Sequence, residues 1–311
     1  MPIIRKWNAM NTLGAMHQFV RAVELGSLSA AARELGTTQP TVSKTVAALE
    51  RHLGTRLLNR TTTHLVPTEA GKRFYERARR VLDEYNEAVA EVRGQTERPE
   101  GHLRVNVPVS LGVLRLNALM VEFMRRYPAI DVELSFNDRF VDLTEESIDV
   151  ALRLGGDLPL DAVARRVATS PRYLVVAPEL LETAADIQRP EDILALPYLR
   201  FAWLAAGETL ELTHENGATA RITPQSRYTA NSSLAIRESL LLGAGVGFAP
   251  AWLVGDLIES GALVRMLPQW RGQIHEAFLI YPQRRYQPLR ARLLLEFLEQ
   301  RVPLLPGFER V

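Results

Sequence analysis

The sequence predicts an α+β multidomain protein: an N-terminal winged helix-turn-helix, a long linker helix and a C-terminal α/β body. Three observations predict it. Residues 27–71 hold two short helical patterns separated by a glycine-containing turn and followed by a hairpin signal. Residues 68–93 repeat apolar side chains at helical spacing over several turns. From Leu103 onward, strand-like alternation and helical stretches take turns, as in a layered α/β body.

In the first helix, Leu13, Met16, Phe19, Val20 and Val23 fall on one face. Gly26 ends it, and Ser27 is a good N-cap for the next. The run Ser27-Leu-Ser-Ala-Ala-Ala-Arg-Glu-Leu-Gly36 puts Ala30, Ala31 and Leu35 on a buried side. Small residues there let two helices approach closely, and Gly36 takes the turn. Thr38 caps the third helix, with Pro40 in its first turn, where a missing N–H costs nothing. Val42, Val46, Leu49 and Leu53 form an inward stripe, which leaves Gln39, Thr41, Ser43 and Lys44 outward.

Those outward residues have groove-reading chemistry. Gln pairs with adenine, Ser and Thr bond to bases or phosphates, Lys reaches guanine or the backbone, and a proline ring touches a thymine methyl. An ordinary polar helix face has the same composition; the helix-turn-helix around it favours DNA. Arg56, Asn59, Arg60, Thr61, Thr62, Thr63 and His64 follow, flanked by Leu57-Leu58 and Leu65-Val66, and suggest a short hairpin closed by Pro67. Arg60 and the threonines suit phosphate or minor-groove contact, or a solvated loop. The candidate DNA contacts are Ser27, Thr38, Gln39, Pro40, Thr41, Ser43, Lys44, Arg56, Arg60 and Thr61.

Thr68 caps the long helix. Its strip of Phe74, Ala78, Val81, Leu82, Tyr85, Val89 and Val92 must be covered, by a second copy or by the chain's own head. Residues 94–102 read as a hinge.

Composition sharpens the division. Of 311 residues, 47% are hydrophobic and 23% charged, ordinary for a soluble globular chain. Residues 1–80 hold 13 Lys and Arg against 5 Asp and Glu, net +8; the remaining 231 hold 24 against 31, net −7, which leaves +1 overall. A basic head on an acidic body suits a polyanion at one end. Cysteine is absent, and no apolar run approaches the ~18 residues that span a bilayer. The first residues lack an apolar stretch of signal-peptide length. A cytoplasmic location with no membrane partner is expected. The six histidines have no metal-ligand spacing and no nucleophile elbow occurs, so no metal, no cofactor, no catalytic residue and no enzymatic activity are expected. The Gly243-Ala-Gly-Val-Gly247 cluster sits between a helix and a strand, the wrong order for a dinucleotide loop.

The first 71 residues and the long helix resemble the LysR-type transcriptional regulators. Phe19, Ser27, Ala31-Ala32, Leu35, Gln39-Pro40, Val42-Ser43-Lys44, Leu49-Glu50, Leu53-Gly54, Leu57, Arg60 and Thr68-Glu-Ala-Gly71 carry the match, in order. Lys44 stands where the family most often has Arg, and Leu58 where Phe is usual; a lysine is a point charge, not a planar fork. The pattern starts near Met10, which makes residues 1–9 look like an extension.

The resemblance implies a C-terminal two-lobed α/β type 2 periplasmic-binding-like effector domain. The expected bounds are 10–67 for the DNA-binding head, 68–93 for the linker helix, 94–102 for the hinge and 103–311 for the effector domain. Lobe one takes 103–173 and 268–311, lobe two 174–267. The implied function is sequence-specific regulation of transcription. A small anionic or aromatic effector in the cleft would modulate DNA binding or bending. The implied partners are operator DNA, that effector, further copies of the chain as a dimer or tetramer, and RNA polymerase.

Within the body, strands are expected at Leu103–Val107, Ile130–Phe136 and Asp149–Leu154, with a helix over 109–126 and another over 141–146. Asn216-Gly217 signals a hairpin. A helix over 232–242, a strand over 246–249, a strand over 277–281 and helix Leu289–Arg301 complete a parallel sheet covered on both faces. Ligands in such sheets sit beyond the carboxyl ends of strands. Ser110, Leu111, Asn137, Arg153, Phe201, Asn231 and Ser232 are the candidate effector contacts, with Trp203 as a further wall. Ser110, Asn231 and Ser232 serve equally as plain N-caps, and Arg153 as the partner of Asp149 or Asp157 in an internal ion pair. Residues 136–143 and 149–155 resemble a common subgroup of the family, which tends to have glycine before the Ile-Asp pair; Ser147 stands there in this chain, which implies a stiffer turn. A solute-binding protein, a cleft enzyme and a regulator answering only to protein partners are the rival readings.

Overall fold

The structure, a computed structural model, describes residues 11–60, 65–92, 99–139, 142–143, 146–156, 158–159, 161–183, 187–202, 209–283 and 287–311. It divides into two compact units, Met1–Arg98 and Pro99–Val311.

The first unit runs α1 (Thr12–Glu24), α2 (Leu28–Glu34), α3 (Gln39–Leu53), β1 (Leu58–Arg60), β2 (Leu65–Pro67) and α4 (Glu69–Val92). The side chains of Asn11, Ser27 and Thr38 each accept from a backbone N–H in the first turn of the helix that follows. This satisfies donors that a helix start otherwise leaves bare. Gly54 stops α3 at φ 69°, a left-handed conformation that glycine adopts without steric cost. Phe19, Val20, Val42, Val46, Leu49, Leu57 and Ala78 share one core, with Phe74 and Leu82 packed on it. The Phe19 and Phe74 rings lie 5.6 Å apart.

The first three turns of α4 therefore bury their strip against the chain's own head. Val81 and Tyr85, at 42% and 51% exposure, do not share that cover. Three expected core positions differ: Ala30 is only half-buried, and the other two are Leu35 and Leu53. Ala31 and Ala32 are the buried pair of α2, while Leu35 at its C-cap is half-buried, and Leu53, in the last turn of α3, is 38% exposed.

The second unit contains two main sheets that the chain enters in turn, with a smaller third sheet beside one of them. It runs β3 (Gly101–Val107), a helical stretch of α5 (Val109–Leu111), a π-helical turn (Gly112–Leu116) and α6 (Asn117–Arg126), then β4 (Ile130–Phe136), β5 (Val150–Leu154) and β6 (Ala162–Ser170). After Pro171 come β7 (Arg172–Val176), α7 (Pro178–Thr183), a 3₁₀ turn (Pro190–Ala195), β8 (Tyr198–Phe201), β9 (Leu210–His214), β10 (Thr219–Ile222), β11 (Ser226–Ala230) and α8 (Ser233–Leu241). There follow β12 (Val246–Pro250), α9 (Ala251–Glu259), β13 (Val264–Met266) and β14 (Trp270–Gly272). The chain ends with β15 (His275–Pro282), α10 (Leu289–Arg301) and β16 (Glu309–Arg310). Lobe one has the sheet order β16-β6-β15-β5-β3-β4, and lobe two β11-β8-β12-β7-β13, with β10-β9-β14 beside it.

Neither main sheet is the wholly parallel one expected. In lobe one, β3 pairs parallel with β4 and β5, but β15 runs antiparallel to β5 and β6. In lobe two, β8 pairs parallel with β11 and β12, while β7 is antiparallel to β12 and β13. A chain that leaves one sheet for another and returns makes its crossings without a covering helix, so the crossing strands need not be parallel. The crossings fall at Pro171 and at Gln273-Ile274. Thus β7 and β14 belong to lobe two, although Arg172, Tyr173 and residues 268–272 were expected in lobe one.

Three further differences are local. Gly101 and His102, expected in the hinge, open β3 opposite Ile130 and Asp131; residues 94–98 lie outside the described ones. Met124, within the helix expected over 109–126, is 36% exposed. The π-helical turn takes five residues and shifts the phase, so Leu116, Leu119, Met120 and Phe123 face the core. Half of the helix expected over 141–146 lies outside the described residues; Asp142, Leu143 and Glu146 are not helical. The Asn216-Gly217 hairpin forms between β9 and β10, with Gly217 at φ 89°.

Candidate functional site

The head presents the candidate DNA contacts as a capped helix start beside a two-stranded ribbon. Val42, Val46 and Leu49 hold α3 in the core. Thr38, Gln39, Pro40, Thr41 and Lys44 are exposed and Ser43 is half-buried. Thr38 Oγ1 accepts from Thr41 N at 3.4 Å and lies 2.8 Å from Thr41 Oγ1. Ser27 Oγ accepts from Ala30 N at 3.3 Å. Ser27 and Thr38 are thus occupied as caps.

Arg56 is exposed, and its carbonyl accepts from the Thr68 hydroxyl at 2.7 Å. Arg60 ends β1 opposite Leu65; Thr61 lies outside the described residues. Glu50 ties helix to ribbon, since its Oε1 accepts from Leu57 N at 2.8 Å and Leu58 N at 3.0 Å.

In the second unit a cavity of about 420 Å³ lies between the lobes. Pro108, Leu154, Phe201 and Pro250 line it from the carboxyl ends of β3, β5, β8 and β12, where a ligand in an open α/β sheet is expected. Ser233 and Ile236 of α8, with Trp252 and Leu253 of α9, add wall; Asp138, Arg139, Arg153, Arg172, Phe248 and His275 complete much of the rest.

Three of the seven expected effector contacts, Ser110, Arg153 and Phe201, line this cavity. Leu111 is fully buried in the core instead. Asn137 works behind the wall: its carbonyl accepts from Arg153 Nη1 at 3.1 Å and its Oδ1 from Arg139 N at 2.9 Å. Asn231 is exposed, and Ser232 caps α8 by accepting from Ala235 N at 3.4 Å. Neither is a cavity residue; the next one, Ser233, is. Trp203 and Asp157 lie outside the described residues.

Ser110 turns out to bridge the lobes. Its Oγ accepts from Leu234 N, in the first turn of α8, at 3.2 Å. A second bridge is ionic. Arg115 of the π-helical turn donates to the Trp252 carbonyl at 3.0 Å and to Asp256 Oδ1 at 3.1 Å, while Arg237 of α8 donates to Asp256 Oδ2 at 2.6 Å. The Arg237 bond and the two guanidinium charges hold the Asp256 carboxyl below the usual carboxylate range.

Of the alternatives for Arg153, pairing with Asp149 does not occur; Asp149 Oδ2 accepts from Arg104 N at 3.0 Å. Arg153 instead donates to the carbonyls of Asn137 and Arg139 and to Asn106 Oδ1. Burial lowers its pKa, and the charges of Asp138 and Glu146 oppose that.

The sequence reading missed Arg172, Phe248, Trp252 and His275. Arg172 is 9% exposed, and burial pulls its pKa down from the usual guanidinium value. Its guanidinium sits 5.9 Å from the Phe248 ring centre. Trp252 Nε1 donates to His275 Nδ1 at 3.3 Å. Burial and the nearby Arg172 charge push the His275 ring down to about 3, so it is neutral near pH 7. The one available sequence signal was Pro171 ahead of Arg172, a strand breaker at a crossing.

An exposed, capped helix start in a helix-turn-helix head and a ligand-sized cavity between two lobes are the architecture of a DNA-binding regulator with an effector domain. Comparison with known proteins gives the family. The bacterial regulatory helix-turn-helix protein, lysR family, matches residues 13–72, and the LysR substrate binding domain matches residues 96–303. An uncharacterised HTH-type transcriptional regulator of Haemophilus influenzae is 32% identical over 281 residues, covering 90% of this chain and 97% of its own. The HTH-type transcriptional regulator PtxR of Pseudomonas aeruginosa is 30% identical over 297 residues, covering 96% and 95%. Among solved structures, CrgA of Neisseria meningitidis, a LysR-type transcriptional regulator, aligns with a TM-score of 0.59 at 30% identity, covering 92% of this chain and 97% of that one. The chain belongs to the LysR family of transcriptional regulators and is not an enzyme. No helix among the described residues is long and apolar enough to cross a membrane.

Proposed function

We infer that the chain reads an operator with the start of α3 and the β1–β2 wing, and that an organic effector in the interlobe cavity changes how it binds or bends that DNA. The observation that carries the DNA half is the split of α3. Val42, Val46 and Leu49 are buried, while Gln39, Pro40, Thr41 and Lys44 are exposed next to a cap that fixes the helix start. Base-edge contacts need such rigid support, because specificity depends on side chains held at fixed positions over the groove. Two heads on a dimer would read two half-sites, and pairs of dimers would make a tetramer. Contact with RNA polymerase and a cytoplasmic location belong to the same reading.

For the effector half, Ser110–Leu234 and Arg115–Asp256–Arg237 span the lobes beside the cavity. A ligand there must alter the lobe angle or fit it as it is, and so shifts the balance between two assemblies. The test of the DNA half is Gln39→Ala with Lys44→Ala, measured by anisotropy on the chain's own promoter region at two salt concentrations. Losing two base contacts of about 1–3 kcal/mol each should weaken binding at least tenfold. Unchanged affinity refutes the assignment of α3.

A further inference from the structure

The cavity carries one charge that no hydrogen bond or ion pair among the described residues offsets. Arg172 is the first residue after the Pro171 crossing and is nine-tenths buried. Among the described residues no hydrogen-bond acceptor reaches its guanidinium; its neighbours are the Phe248 ring and the Tyr198 phenol. Every other charged lining residue is accounted for differently. Arg153 is held by four acceptor oxygens, the carbonyls of Asn137, Arg139 and Leu152 and Asn106 Oδ1, and faces Asp138 and Glu146. Asp138 accepts from Val109 N at 2.9 Å. Arg139 is exposed at the rim. His275 accepts from Trp252 and bonds to the Leu154 backbone, so it contributes a neutral wall.

A buried guanidinium without a partner is expensive, and folds retain one where a ligand completes it. Apart from Ser110 and Ser233, the rest of the wall is largely apolar: Phe201, Ile236, Leu253 and Leu154 face the same space. Its volume of about 420 Å³ suits a single small molecule.

We propose that the cavity takes a monocarboxylic acid with a flat apolar body, its carboxylate paired with Arg172 and its body against Phe201 and Ile236. This rests on reading the cavity as the effector site. One carboxylate is matched by the buried Arg172; Arg139, also in the lining, stands exposed at the rim, where water screens a second carboxylate, so dicarboxylates gain less. Because Arg172 adjoins a crossing strand, the acid would act where the lobes pivot.

The test uses the full chain and four variants in thermal-shift titrations with benzoate, its neutral isostere benzamide, and phthalate. Benzoate should raise the melting temperature with concentration, benzamide should not, and phthalate should do so less than benzoate. Arg172→Met should abolish the benzoate response and, by removing a buried unpaired charge, raise the unliganded midpoint by about 2–4 °C. Arg172→Lys should keep a response weakened roughly tenfold, since ammonium replaces a bidentate fork. No shift with benzoate, equal shifts with benzamide, an undiminished response in Arg172→Met, or a lowered unliganded midpoint in that variant each overturns the proposal. Ser233→Trp, which fills the cavity from α8, separates the two levels. If it removes the benzoate shift while Arg172→Met keeps it, only the carboxylate assignment falls. If benzoate still binds Ser233→Trp, the effector-site reading falls as well. Ile236→Ala should weaken benzoate severalfold and leave the Arg172 dependence intact; an unchanged affinity overturns the placement of the ring.

Discussion

Replacing Gly71 by alanine sets local propensity against packing. Gly71 lies in the first turn of α4, where alanine is the better helix former by about 1 kcal/mol. A Cβ there would stand 2.0 Å from the Leu57 carbonyl oxygen and 2.9 Å from its carbonyl carbon. Both are backbone atoms, so no rotamer change removes the overlap. That carbonyl also accepts from Thr68 N at 2.9 Å, and Leu57 itself is 1% exposed in the head's core. Displacing it costs about 1 kcal/mol for the bond and about 1–3 kcal/mol for the overpacked core. The net expectation is a head less stable by about 1–3 kcal/mol, the opposite sign to the propensity. Amide hydrogen exchange on the full chain measures it. Peptides within 12–60 should exchange roughly tenfold to a hundredfold faster, and peptides from 101–311 serve as the unchanged internal control. Operator affinity should fall in parallel, because Gly71 lets α4 close against the base of the ribbon. Equal or slower exchange in the head refutes the argument.

Glu50→Ala removes the acceptor of two buried N–H groups and should destabilise the head by about 2–4 kcal/mol, with Glu50→Gln recovering part of it; the same exchange measurement reports both. Ser147→Gly should do the reverse in the body. Ser147 holds φ 63°, a conformation that costs a side-chain-bearing residue about 1–2 kcal/mol, and glycine returns part of that in its unfolded-state entropy. A urea midpoint lower than the parent's would contradict it. The buried His275 ring is neutral in the fold down to about 3, whereas the unfolded ring takes a proton below about 6.5. The unfolded state then binds more protons, so stability should drop as pH falls from about 6.5 toward 3, by up to about 1.4 kcal/mol per unit. His275→Gln should flatten that slope, and an unchanged slope would show that other groups set it.

The two ends of the chain differ in how much the sequence alone reveals. The head is built from contacts close in sequence. Ser27 and Thr38 cap within three residues, Gly36 and Gly54 end helices where they stand, and Val42, Val46 and Leu49 repeat at helical spacing. Local rules of hydrogen bonding and periodicity therefore place α3 and identify its outward residues. The Asn216-Gly217 hairpin is legible for the same reason.

The cavity is assembled from residues 108 to 275, which are adjacent only after two sheets have formed and the chain has crossed between them twice. A strand pattern shows alternation but not its neighbour, so the antiparallel placement of β7 and β15 was not legible, nor was the membership of β14. Ser110 and Arg153 could be picked as strand-end residues; whether each meets a ligand or the protein depended on what folded against it. Arg172 shows the limit most clearly. Its type and position were plain in the chain, but its lack of a partner is a property of the whole three-dimensional surround, and only the tertiary structure could decide it.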